Sequence, residues 1–187
     1  MKLHPISQGT VLLSWAASEL VSADAPLHHY RHGAPHSLRP RILAHGSAEG
    51  LSSDEKDILV YALLGTRERM LGFFLRHETR WFSTDFSVGS LPPVRTISDD
   101  TSRGPDRTLG GLAAARTEEV AGFDVGKMIG CPILVTARAS VGPWCLLDGY
   151  HRCVKILRLH SRQELACDTI PVMIGECRDA ENWPWWR

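Results

Sequence analysis

From Pro132 onward the chain changes its local preference in a fixed order, and that order constrains the fold most. PILVTAR is a β-rich run, SVGP is a turn, and WCLLDG is a second β-rich run. YHRCVKILRLH then places Cys153, Val154, Leu157 and His160 along one helical flank, before TIPVMIGE supplies a third strand. Strand, turn, strand, helix, strand fits an α+β domain built on a small mixed sheet with flanking helices. Pro171 is tolerated at the start of its strand or at an edge.

Upstream, the signals are more local. Ser53 is a candidate N-cap, with Asp54 and Glu55 in a helix's first turn. Ile58, Leu59, Ala62 and Leu63 form its apolar stripe, and Gly65 offers a stop. Met70 to Leu75 fits helix or strand. WFSTDFSV alternates and is rich in aromatic residues, which predicts a strand over Trp81 to Val88. SDDTSRGPDRTLGG, residues 98–111, is turn chemistry suited to a surface excursion or a loop over a site. LAAARTEEVAG after it reads as a short helix. Residues 1–50 are expected to form an N-terminal extension of loop and short helix (Val11 to Leu20), ahead of an α+β domain over 51–187. His28, His29, His32 and His36 lie in that extension. His28 and His32 have the spacing of two metal ligands on a helix, but Gly33 and Pro35 oppose a helix there, and no nearby carboxylate or thiol completes a site.

The function classes are narrowed by charge. The 187 residues carry 21 Lys and Arg against 21 Asp and Glu, so the chain has no net charge to neutralise a phosphate backbone. Nucleic acid is therefore disfavoured as a partner. Five cysteines without a CxxC pair (Cys131, Cys145, Cys153, Cys167 and Cys177) read as reduced thiols rather than a disulfide framework. No leader or membrane-length apolar run is evident, so a cytoplasmic location without membrane contact is expected.

The motif with chemical content is LLDGYHRCVKIL, residues 146–157. Gly149 permits a sharp bend from strand to helix. The first-turn amides point outward at the positive end of the helix dipole, where phosphate, sulfate or carboxylate can sit. Arg152 adds a planar fork of donors and His151 a further donor. Asp148 does not suit simple anion binding. It makes sense as an N-cap, as a ligand to a phosphate-bound Mg²⁺, or as a base toward a hydroxyl. The plain alternative is a structural bend with Asp148 as cap, Tyr150 packed, and His151 and Arg152 on a solvated face.

The segment PILVTARASVGPWCLLDGYHRCVKIL, closing with IPVMIGE, resembles the ParB/sulfiredoxin-like superfamily. Members share a strand–turn–strand, a Gly-X-His-Arg or Gly-X-Arg-Arg helix opening, and a closing strand. WFSTDFSV and LPPVRTIS would be the earlier strands. The resemblance implies a nucleotide-phosphate site formed by Gly149, Tyr150, His151 and Arg152. Its branches differ in chemistry. Sulfiredoxins place a reacting cysteine where this chain has Tyr150, which argues against sulfinic acid reduction. Partition clamps continue into a helix-turn-helix region, for which the 35 residues after Arg152 are too few. The small-molecule kinase branch has an Asp-Gly-X-His-Arg motif, matched by Asp148–Arg152. That branch implies ATP or a related nucleotide, Mg²⁺ held through Asp148, and phosphate transfer to a small hydroxylated molecule. In it, His151 and Arg152 would stabilise the transferring group, and Asp85 on the Trp81 strand is the candidate base. The alternatives are a non-enzymatic nucleotide- or anion-binding module, and a DNA-associated protein or nuclease. Trp183, Trp185 and Trp186 in the C-terminal tail would pack internally or meet a partner.

Overall fold

Each β-rich run of the C-terminal stretch becomes a strand, and the helical run between them becomes a helix. The computed structural model describes residues 1–22, 34–96, 108–115, 120 and 123–183. In chain order the elements are β1 (His4–Ile6), α1 (Gln8–Val21), α2 (Ala34–His45), α3 (Ser53–Arg76), β2 (Thr79–Ser87) and β3 (Arg95–Thr96). There follow α4 (Leu109–Ala115), β4 (Ile133–Thr136), β5 (Cys145–Asp148), α5 (Tyr150–Ser161) and β6 (Thr169–Cys177). The architecture is α+β, with a six-stranded mixed open sheet in the order β1-β2-β6-β4-β5-β3.

The chain divides into two compact units. One comprises Met1–Pro5, His77–Val125 and Pro132–Arg187; the other comprises Ile6–Arg76 and Gly126–Cys131. The first unit holds the sheet. β6 pairs antiparallel with β2 along its whole length, from Thr79 opposite Cys177 to Ser87 opposite Thr169. On its other side β6 pairs parallel with β4, but only over Met173–Glu176. This overhang accommodates Pro171. Met173 donates its N–H to the Pro132 carbonyl at 2.9 Å. The N–H that proline lacks, two residues earlier, would have pointed past the start of β4, so no ladder bond is lost.

The core of this unit follows from the strand sequences. Ile133, Leu134, Val135, Cys145, Ile170, Val172 and Ile174 are all buried, and β4 is buried at all four positions, so both of its faces are covered. Each such side chain contributes about 1.5–3 kcal/mol on burial. Gly175 is opposite Trp81, and a Cβ there would lie 2.6 Å from the indole Cζ3, so the missing side chain is the space the ring fills. Trp144 sits just before β5, half-buried, with its ring edge-to-face against Phe86 at 5.0 Å. Trp183 is buried beyond β6, while Trp185 and Trp186 lie outside the described residues.

The second unit is helical. Trp15, Leu20, Ile42, Leu59, Leu63 and Phe74 are its largest buried side chains. α1 is capped by Ser7, whose hydroxyl accepts the Thr10 N–H at 3.1 Å. α2 forms despite Pro35 and Pro40. Pro35 falls in the first turn, where no intrahelical donor is needed, while Pro40 lies inside the helix and removes one bond. His36 lies on α2, and His28, His29 and His32 fall outside the described residues.

Two helix expectations are corrected. The cap of α3 is Ser52, one residue before Ser53. The Ser52 hydroxyl accepts the Glu55 N–H at 3.3 Å, and the Glu55 carboxylate accepts the Ser52 N–H at 2.8 Å. Such a reciprocal box satisfies two helix-end donors at once. That bond to Ser52 N–H, ahead of the Arg41 guanidinium, holds the Glu55 carboxyl below its usual range. Gly65 does not stop the helix, which runs on to Arg76 and absorbs Met70 to Leu75. The Trp81 strand begins two residues earlier than expected, at Thr79, and ends at Ser87. Most of the 98–111 segment, residues 98–107, lies outside the described residues; α4 begins at Leu109.

Candidate functional site

The β5–α5 junction is built from the bottom by one backbone conformation. Gly149 has φ +96°, in the left-handed region, and is the residue preceding the first turn of α5. Its carbonyl accepts the Cys153 N–H at 2.9 Å, the first bond of the helix. A Cβ at this position would come 2.9 Å from Pro132 Cα and 3.2 Å from the nearer guanidinium nitrogen of Arg152. The strand therefore turns into the helix in contact with the start of β4, in a space only glycine fits. Pro132 was not singled out as a site residue by the sequence. Nothing local marks it, because its contact with Gly149 arises from the pairing of β4 with β5.

Asp148 is not the helix cap: Gly149 holds that place and no side chain caps the end. The Asp148 carboxylate instead accepts a hydrogen bond from Arg152 Nη2 at 2.6 Å, one turn along. Both side chains are largely withdrawn from water, with 17% of Asp148 and 15% of Arg152 exposed. At that burial, removing either partner would leave the other charge withdrawn from water without its counter-charge. The first turn of α5 carries no acidic residue, and Arg158 and His160 lie in its last turn, so the helix keeps its positive N-terminal end.

His151 is exposed, and its ring meets the half-buried Tyr150 ring edge-to-face at 5.0 Å. Cys153 faces the core and is fully buried. Burial pushes its thiol up to about 12, the Arg152 guanidinium draws it down, and the Asp148 carboxylate raises it further. A thiol held neutral at physiological pH is a packing group rather than a nucleophile. Lys155 lies over the Phe123 ring at 5.6 Å, a contact with no signature in the sequence.

The structure thus brings Asp148, Gly149, Tyr150, His151 and Arg152 together, and it places Asp85 elsewhere. Asp148 is level with Ile133, which is level with Met173, which is opposite Ser83 of β2. Asp85 is two residues beyond Ser83, exposed, and opposite Pro171. β4 and β6 lie between β5 and β2, so three interstrand spacings, about 14 Å, separate the backbone positions of Asp148 and Asp85 across the sheet. Among the described residues no three His, Cys, Asp or Glu side chains are grouped to hold a metal ion. Nor is any helix among them long and apolar enough to cross a membrane. Comparison with known proteins finds no matching family model, no matching curated protein and no matching solved structure.

Proposed function

We propose that the β5–α5 junction binds the phosphates of ATP or a related nucleotide, and that the protein is a ParB/sulfiredoxin-like enzyme transferring phosphate to a small hydroxylated molecule. The observation that carries this reading is the guanidinium of Arg152, held by Asp148 across Gly149 at the positive end of an α-helix. The donors there, an arginine fork and first-turn amides with no acidic residue among them, suit a phosphate group. Gly149, Tyr150 and His151 contribute backbone at that end, and His151 is exposed to reach an anion from solvent.

Mg²⁺ suits this donor set only as a nucleotide-borne ion. Asp148 is the carboxylate that pairs with Arg152 at the junction, and Mg²⁺ commonly takes one or two carboxylates together with substrate phosphates. Such an ion would neutralise phosphate charge. The chain's own residues have separate tasks: Arg152 orients the phosphate, Asp148 holds the guanidinium until an anion competes for it, and His151 can donate a hydrogen bond. Asp85 has no part in this cluster, and of the described carboxylates named for the site it is Asp148, at the junction itself, that would take the acceptor hydroxyl's proton.

A second reading rests on that same separation. With the Asp148 carboxylate already engaged by Arg152 and Asp85 placed elsewhere, the site could bind a nucleotide or other anion without turning it over.

Calorimetric titration with ATP, ADP and CTP, with and without Mg²⁺, tests both. The folded wild type is expected to bind at least one nucleotide below millimolar concentration, and Arg152→Ala to weaken it tenfold or more, about 1.4 kcal/mol. Asp148→Asn should remove the part of the affinity that needs Mg²⁺. No binding at millimolar nucleotide, or binding that Arg152→Ala leaves unchanged, would overturn the site. Binding without release or transfer of phosphate selects the second reading.

A further inference from the structure

We draw no further inference here: the strongest candidate, the exposed apolar pair Ile58 and Tyr61 one turn apart on α3, is an unpartnered helix face and nothing in the structure shows what covers it.

Discussion

Two residues in the sheet unit can be probed by single substitutions whose cost follows from geometry. Gly149 combines a left-handed φ of +96° with a backbone neighbour, Pro132 Cα, 2.9 Å from where a Cβ would stand. The conformation alone costs an ordinary residue about 1–2 kcal/mol, and a contact with backbone cannot be relieved by a rotamer change. Gly149→Ala is therefore expected to lose at least about 2 kcal/mol of unfolding free energy in urea. A loss near zero would show that the turn relaxes and that glycine is not demanded there. Glu176 is the second. Its carboxylate accepts the Ala139 N–H at 2.8 Å and pairs with Arg80. The Ala139 bond, with Arg80 behind it, holds this carboxyl below its ordinary value of 4.5. A folded pKa below the unfolded one stabilises the native state above pH 4.5, and that contribution disappears as pH falls through the lowered value. Glu176→Gln should cost about 1 kcal/mol at pH 7 and make stability fall less steeply between pH 5 and 3 than in wild type. Parallel stability–pH curves for the two proteins would remove Glu176 from the account.

At the scale of elements, what was legible in the sequence was what local chemistry decides. β4, β5 and β6 announce themselves because their runs are apolar at nearly every position, as in strands covered on both faces, and α5 because its apolar positions follow a helical period. The site was legible in part for the same reason: Asp148 to Arg152 are contiguous, so one bend assembles them. Their ion pair was not, since Asp148 could equally have capped the helix until Gly149 was seen to hold that position. The placement of Asp85 depends on strand order, which no local pattern encodes. α3 shows the opposite failure. Gly65 looks like a stop, yet the helix passes through it because Ala62 and Leu63 before it and Phe74 after it are buried, and tertiary packing outweighs a glycine's penalty. Gly65 is exposed, and a Cβ there would meet nothing within 4 Å. Gly65→Ala should therefore stabilise the protein by about 0.5–1 kcal/mol, read as a higher urea midpoint at unchanged slope. A lower midpoint would mean that the helix needs flexibility at that position.

For the whole molecule, the order of the sheet and the balance of charge bear on what it can bind. β1, at the start of the chain, lies beside β2, and the Thr84 hydroxyl donates to the Lys2 carbonyl at 2.8 Å. The sheet unit is thus assembled from segments that the residues of the helical unit separate in sequence, a non-local arrangement beyond the reach of periodicity. Charge is distributed in the same economical way. Arg41 pairs with Glu55, Arg80 with Glu176 and Arg152 with Asp148, and the totals cancel at 21 against 21. A duplex presents a charge about every 1.7 Å, and a protein holds it by releasing counterions from many phosphates at once. Each of those three arginines would have to abandon a carboxylate to take part, and those carboxylates would then repel the backbone. A small phosphorylated ligand asks far less: one guanidinium and one helix end, with one ion pair, Arg152 to Asp148, to open. The protein is accordingly expected to show no retention of duplex DNA in a mobility-shift assay at about 0.15 M salt, under conditions where nucleotide binding is measurable. Retention with a steep salt dependence, lost in Arg152→Ala, would assign the same junction to a nucleic-acid backbone and overturn the small-molecule reading.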